Sequence, residues 1–466
     1  MKKRSVLTVE QKNNFYGNFR KIPMITILGG GPAGRIASIR LASAGKEVKL
    51  IEQGGIGGQC LHFGCMPVCA MNDVARMINA ARTFQGLGIT DSVPRVHFPS
   101  LVREMKEIQG KIASILDHET RNAGVNIIYG RIGRLEKDRV FLDDEEIDAE
   151  TVILATGSHP NIPDEEAIRL SGIYTPHSLW NMNTLPDTLT IIGGGIMAAE
   201  FAYIFREFGC RVTLVCRSSF LKNLDGHLRA LALKELRGVE IWENSPVCSF
   251  CGDPGVTSVN VRINGRDVSL QTEAVLLATG LVPRSEMLNG VAKGPAGEVI
   301  VDDRMRTSVE NVYAAGDVTG PPYLTPVARH QGLVAADNIL GKERRMDYRH
   351  IPQSLNLTNE LAFCIGSVEG TVKLTVPGPA GPGTFWSVPS GETGLAKIMA
   401  DPDSGEIRGM CSAGPGGGLI AGYMAFLMQR NFSVHDFEEF IEVHPSTDGV
   451  YGLAKYASEL LKKHSQ

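Results

Sequence analysis

At 466 residues the chain exceeds what one hydrophobic core accommodates, and the usual domain size of about 100 to 200 residues predicts three or four units. Apolar residues make up 43 %, 47 basic residues nearly balance 51 acidic ones, and the pI is 6.3, which argues against disorder and against the basic footprint of a nucleic-acid binder. A small soluble substrate is the expectation. Met1 to Lys21 is polar and basic without the apolar stretch of a secretory signal, and no apolar run reaches about 18 residues, so a cytoplasmic protein without a membrane span is expected. Residues 1–23 are set apart as an N-terminal extension.

Met24 to Gly29 is a continuous apolar run, followed by a glycine cluster, a helical pattern over Ala33 to Ala44, Gly45, and a second run over Glu47 to Ile51. This is a βαβ unit. Gly29, Gly31 and Gly34 lie between strand and helix, and Glu52 ends the next strand at the spacing of an acidic residue that binds ribose hydroxyls. The first glycine permits a tight turn, the second a close approach of backbone to pyrophosphate, and the third helix-on-sheet packing, so the unit predicts a dinucleotide site.

Eight residues after Glu52 come Cys60 and Cys65, separated by Leu61, His62, Phe63 and Gly64 across the expected start of a helix. Nine cysteines scattered through a chain of this size do not form a secreted disulfide framework, and a close pair in a reducing compartment points to redox chemistry. A helix N-terminus favours the thiolate that such chemistry needs. Cys248 and Cys251 form a lone CxxC with no second pair nearby, so no zinc site is expected.

A helical segment from Phe98 to Ala123 follows, then β-rich sequence ending at Val152 to Gly157, whose ATG motif recurs at Val275 to Gly280. Both read as strands crossing between domains. A second βαβ unit spans Leu189 to Val215, with Gly193 and Gly195 followed by Ala198 where a third glycine is usual. Its strand ends in Val215, Cys216 and Arg217, offering no carboxylate for a ribose 2′-hydroxyl and a cation for a 2′-phosphate. NADP(H) is therefore expected over NAD(H). After Asp347 the pattern alternates between apolar strands and Gly/Pro-rich loops, including the Val376 to Thr384 loop, with helical segments at Leu419 to Gln429 and Val434 to Phe440. The predicted fold class is α/β, with two Rossmann-like dinucleotide-binding domains and a C-terminal α+β domain. The boundaries are 24–155 with 275–345 for the first nucleotide domain, 156–274 for the second, and 346–466 for the third.

Gly57, Gly58, Gln59 and Cys60, then Gly64, Cys65, Met66 and Pro67, together with both ATG segments, the Asn311 to Asp317 run and the pair His444 and Pro445, resemble the pyridine nucleotide-disulfide oxidoreductases. That family includes dihydrolipoamide dehydrogenase, glutathione reductase and mercuric reductase. The resemblance covers nearly the whole chain from Met24 and is closest overall to dihydrolipoamide dehydrogenase. It implies FAD held by the first motif, with Gly58, Gly157 and Asp317 contributing, and a nicotinamide nucleotide held by the second, with Gly280 contributing. It further implies a flavin-facing Cys65, a Cys60 that exchanges with a small disulfide or dithiol, and a His444 acid/base reaching across a homodimer. An imidazole suits a thiol that must lose and regain its proton near neutral pH.

Three departures accompany the match. Gly449 stands where the family has a glutamate orienting the histidine, with Asp448 one position early; either the ring is held more loosely or Asp448 substitutes. Leu281 replaces an arginine near the nicotinamide nucleotide. Cys69 stands where the family has a lysine beside the flavin, although that lysine's glutamate partner is retained as Glu200. Losing a cation there removes roughly 4 kcal/mol of attraction at an effective dielectric of 20, so a lower flavin potential is expected. Cys69 is then either a third thiol altering the electron path or a small buried residue filling the lysine's space. The end, Lys462 to Gln466, lacks the paired terminal cysteines of mercuric reductase. Alternatives from other classes are a flavin-bearing redox sensor with little turnover, and an oxidase or transhydrogenase with an idle cysteine pair.

Overall fold

The structure is a computed structural model that describes residues 24–378, 383–443 and 449–464. The expected extension 1–23, the centre of the Gly/Pro loop, and both His444 and Asp448 lie outside the described residues.

The chain divides into two compact units. The first gathers the described residues up to Gly58, Ile112–Ser158 and Pro283–Met346. Its centre is a five-stranded sheet in the order Val312–Ala314, Thr151–Leu154, Met24–Leu28, Glu47–Glu52, Asn126–Tyr129, every pair parallel. Ile27, Leu50, Ile153 and Leu154 are fully buried, as the unbroken apolar runs of a sheet covered on both faces require. The strand order reverses on either side of Met24–Leu28, which opens a crevice at the carboxyl ends of the strands. Beside this sheet lies a smaller four-stranded one built around Gly133–Glu136 and Arg139–Leu142.

The second unit gathers Gln59–Lys111, His159–Val282 and the described residues from Asp347 onward. One of its sheets is again parallel and five-stranded, in the order Glu240–Trp242, Arg211–Val215, Thr188–Ile192, Ala274–Leu277, Ile173–Tyr174. The helix Ile196–Glu207 packs on it and buries Phe201, Tyr203 and Phe205 completely. The C-terminal part is a five-stranded antiparallel sheet flanked by the helices Gly417–Gln429 and Gly449–His464. Two Rossmann-like sheets and an α+β region are the architecture expected from sequence.

Two details differ. Residues from 275 onward were expected with the first nucleotide domain, but Ala274–Leu277 pairs in register with Leu189–Ile192 and belongs to the second sheet. Each ATG segment ends a strand of its own sheet, and the chain changes unit only afterwards, at Ser158 and again at Val282. The physical reason is burial: Val275, Leu276 and Leu277 are each at most 2 % exposed between neighbours on both sides. The terminal helix Gly449–His464 was also not anticipated, because Gly449 and Gly452 weaken its propensity. It forms because Val450, Leu453, Ala454, Ala457 and Leu461 recur at helical spacing and are buried.

Within the second unit, the buried Lys397 ammonium meets the Asp225 carboxylate at 2.6 Å, and Asp225 also caps the helix Gly226–Glu235. Desolvation alone would raise the Asp225 pKa, but the hydrogen bond and charge of Lys397 outweigh it and hold the carboxyl below its ordinary value. A depressed carboxylate contributes stability above its unfolded pKa, and that contribution is lost as pH falls through the folded value. Lys397→Ala is expected to cost roughly 3 to 5 kcal/mol at neutral pH by leaving the aspartate unpaired. Urea unfolding at neutral pH and at successively more acid pH below about 4 checks this, since the gap between variant and parent should narrow as pH falls through the folded value.

Candidate active site

The first glycine motif sits at the crevice of the first sheet. Gly29 has φ +108°, and a Cβ there would lie 2.2 Å from the Ala155 carbonyl oxygen; one on Gly34 would lie 2.0 Å from the Gly29 oxygen. Both positions therefore require glycine. Gly31 precedes the helix Pro32–Ala42, whose proline sits in the first turn, so the free N–H groups of that turn face the crevice. The backbones of Gly31 and Gly58 approach so closely that a Cβ on Gly58 would come within 2.7 Å of Gly31 Cα. Glu52 accepts hydrogen bonds from Gly30 N at 2.6 Å and Gly54 N at 2.7 Å, which fixes its carboxylate beside the glycine turn.

Asp317, in the same unit, accepts from Ser158 Oγ at 2.6 Å immediately after Gly157. Burial pushes its pKa up against that hydrogen bond. Sequence reasoning missed Ser158, whose one signal was adjacency to the ATG motif. Gln331 was missed as well; its Oε1 holds Gly316 N at 2.7 Å. A glycine turn, a helix N-terminus, an acid at the strand end and an enclosed aspartate in one unit fit a dinucleotide such as FAD.

The second motif repeats the design with one relaxation. Gly193 has φ +146°, and a Cβ there would lie 2.2 Å from the Ala278 oxygen, whereas Ala198 is accommodated fully buried where the first motif needs Gly34. Gly195 caps the helix Ile196–Glu207 and has no neighbouring atom within 4 Å of its Cβ position. At the strand end the buried Cys216 thiol donates to the Gly193 carbonyl at 3.3 Å, occupying the place that Glu52 takes in the first motif. Arg217 is exposed just beyond it. Gly280 accepts from Asn161 N at 2.9 Å, and Leu281 follows it partly buried.

Cys60 lies in the short helix Gly58–His62, and Cys65 is the first residue of the long helix Cys65–Gly86. The joint between them is closed by Gln59 O, which accepts from Phe63 N at 2.9 Å and Gly64 N at 2.7 Å. His177 braces it from outside: its Nε2 is 3.2 Å from Gln59 Oε1, and its ring stacks on Phe63 with centroids 4.4 Å apart. Gln109 Nε2 donates to the carbonyls of Leu61 and His62. Neither His177 nor Gln109 was flagged from sequence, because both are distant in the chain and belong to no motif.

Cys69 is one helical turn beyond Cys65. It lies on the exposed side of that helix turn. Desolvation of its thiol, with the negative charges of Glu200, Cys65 and Asp73, raises its pKa. Glu200, on the helix Ile196–Glu207, accepts from Asn356 N at 2.9 Å and Asn356 Nδ2 at 3.2 Å. Desolvation pushes its pKa up to about 7 even against those two bonds. Among the described residues no cluster of three or more His, Cys, Asp or Glu side chains is arranged to hold a metal ion. No helix among them is long and apolar enough to cross a membrane.

Each unit carries its own nucleotide crevice, and the thiol pair follows the first glycine motif along the chain, the order of parts found in flavoprotein disulfide reductases. The chain belongs to the pyridine nucleotide-disulphide oxidoreductase family, whose model matches residues 23–332. Membership implies FAD and a nicotinamide nucleotide. Dihydrolipoyl dehydrogenase of Bacillus subtilis is 26 % identical over 442 residues, covering 91 % of this chain and 95 % of the relative. Mercuric reductase of Staphylococcus aureus is 27 % identical over 362 residues, covering 75 % of this chain and 65 % of the relative. Among solved structures, LpdA from Mycobacterium tuberculosis superimposes with a TM-score of 0.81 at 25 % identity, covering 94 % of this chain and all of that one. The flavoprotein disulfide reductase RclA from Escherichia coli shares the fold with a TM-score of 0.79 at 24 % identity, covering 94 % of this chain and 99 % of that one.

Proposed function

We propose that this oxidoreductase carries electrons from NADPH to a small disulfide through the Cys60 and Cys65 pair, in the manner of the dihydrolipoyl dehydrogenases it resembles. The observation that carries the reading is the placement of Cys65 at the N-terminus of a 22-residue helix with Cys60 held across a braced joint. The helix dipole stabilises an anionic sulfur at Cys65, and the brace keeps the two sulfurs' chain segments in fixed relation. A bound flavin would supply the two-electron link between nicotinamide and sulfur, held by Gly29, Gly31, Gly34, Glu52, Gly58, Gly157 and Asp317. Gly193, Gly195, Arg217 and Gly280 would hold the nicotinamide nucleotide.

Cys60 is the exchanging thiol: its sulfur attacks the substrate disulfide, one substrate sulfur leaves, and Cys65 displaces the second to restore the protein disulfide. His444 takes and returns the proton, with Asp448 orienting it; both roles rest on the family resemblance. A homodimer is supported by the helix Gly417–Gln429, which leaves Leu419 82 % exposed with Tyr423 and Phe426 on the same face, and by Ile441 at 91 %. Such a face is expected to be covered by a second copy.

Anaerobic titration with NADPH and with NADH, followed by assays against lipoamide, glutathione disulfide and mercuric ion, tests the reading. Reduction by NADPH with turnover of a disulfide supports it, and reduction by neither nucleotide sinks it. Turnover of mercuric ion alone would transfer the function to the mercuric reductase branch of the relatives. For the coenzyme, Arg217→Ala is expected to raise the KM for NADPH about tenfold while leaving that for NADH nearly unchanged, since only the 2′-phosphate loses a charged partner. Equal effects on both nucleotides would show that Arg217 is a solvated cation.

A further inference from the structure

Along the helix Cys65–Gly86, the residues Cys65, Cys69, Asn72, Arg76 and Asn79 recur at alternating steps of four and three, a polar stripe at helical period. In the second unit this helix packs against Ile196–Glu207, which carries Glu200. A second carboxylate, Glu235, lies near the stripe and accepts from Asn359 N at 3.1 Å and Asn359 Nδ2 at 2.7 Å. Each glutamate is thus held by asparagine amides. Among the described residues neither forms an ion pair.

The charge of Arg76 lowers the pKa of both glutamates. Its Nε donates to Leu357 O at 2.6 Å, and its Nη2 is buried without a hydrogen-bond partner. Two enclosed carboxyls therefore share one guanidinium that bonds neither, and holding a proton on one of them costs less than burying an unpaired anion. Glu200 is the one that feels Cys65.

The groups facing Glu200 are few. From the helix Cys65–Gly86 come Cys65, Cys69 and Arg76, with Asp73 beside Cys69; Gln353–Asn356 brings no titratable group; of the strands Thr188–Ile192 and Arg211–Val215, only Arg211 is charged, at the end where the Glu200 helix finishes. No lysine stands one turn beyond Cys65 to fix the carboxylate in its anionic form.

We propose that Glu200 holds the proton exchanged with Cys65, separate from the Cys60 proton that His444 moves, giving it to the Cys65 side when the Cys60 to Cys65 bond is reduced and recovering it on reoxidation. The balance closes. A hydride equivalent from the nicotinamide nucleotide brings two electrons and one proton, the S–S bond opens, and the Glu200 carboxyl supplies the second proton that makes two thiols, leaving a carboxylate. A thiolate at Cys65 and a carboxylate at Glu200 repel, so the pair retains one proton between them near neutral pH.

The timing of this transfer rests on the disulfide relay, but the carboxyl itself is testable without turnover. Infrared difference spectra of the oxidised FAD-loaded protein between about pH 6 and about pH 8 should show a protonated carboxylic C=O band that is absent in Glu200→Gln and retained in Glu235→Gln. In the reduced protein, the pH profile of iodoacetamide alkylation should carry an inflection near neutrality that is lost in Glu200→Gln. In Cys69→Lys, whose new ammonium holds the carboxylate ionised, it should move at least about one pH unit lower. A band unchanged in Glu200→Gln, or no band at all, overturns the proposal. A Glu200 band in a protein that reduces no disulfide removes the relay while supporting the carboxyl assignment; disulfide turnover without the band does the reverse.

Discussion

Cys60→Ser is expected to lower nucleotide-dependent disulfide reduction by about three orders of magnitude or more, while reduction of the protein-bound flavin by the nucleotide proceeds. The size follows from what a serine hydroxyl lacks. Near neutral pH a thiol offers a small fraction of thiolate, and the thiolate is the attacking species, whereas an alkanol offers essentially no anion. The substitution removes one sulfur from a joint whose backbone is independently closed by Gln59 O and braced by His177, so the local fold has no reason to change. Steady-state oxidation of NADPH with and without a disulfide, alongside single-turnover reduction of the flavin, separates the two effects. Disulfide-dependent turnover that survives in Cys60→Ser would mean an oxidase or transhydrogenase whose cysteine pair is idle.

The second large effect is structural. Gly34→Ala is expected to abolish retention of FAD and to destabilise the first unit by about 3 kcal/mol or more, because the new methyl would sit 2.0 Å from the Gly29 carbonyl oxygen, which is backbone and cannot rotate away. The helix Pro32–Ala42 would have to lift off the sheet, carrying its N-terminal donors away from the pyrophosphate position. The second motif supplies the control: Ala198→Gly removes one buried methyl and is expected to cost only about 1 kcal/mol, with FAD fully retained. The flavin-to-protein absorbance ratio after gel filtration, read with thermal unfolding, checks both. Full flavin content in Gly34→Ala would show that helix and sheet can separate at this point without cost.

The two glycine motifs were legible because each requirement is local. A tight turn, an apolar strand before it and a helix after it fall within about 30 residues, and the glycines are forced by contacts between near neighbours in the chain. The same holds for Glu52, which closes on Gly30 across a single βαβ unit, and for the Cys60 and Cys65 pair. The strand Ala274–Leu277 was placed in the wrong sheet for the complementary reason. Its sequence, shared with the first ATG segment, specifies an apolar strand but carries no information about which sheet it joins; that was decided by pairing with Leu189–Ile192. Gly449–His464 was missed where two glycines masked a buried stripe whose value appears only once the antiparallel sheet is present to cover it.

Cys69 marks the boundary between the two kinds of knowledge. Its identity, and the absence of a cation at that position, belong to the sequence alone. What the absence means depends on Glu200, Glu235, Arg76, Asn356 and Asn359, which are scattered over nearly 300 positions and meet only through the packing of helices within one unit. One retrospective signal existed in the polar stripe from Cys65 to Asn79, since polar residues at helical period on a largely apolar helix face require partners. The sequence by itself determined the chemistry available to this protein: two nucleotide crevices, a thiol pair and their order along the chain, all set by short-range sterics and spacing. Tertiary structure decided in which direction the proton affinities of the groups around the thiols move, because desolvation and Coulomb interaction depend on distances through space that no local pattern encodes.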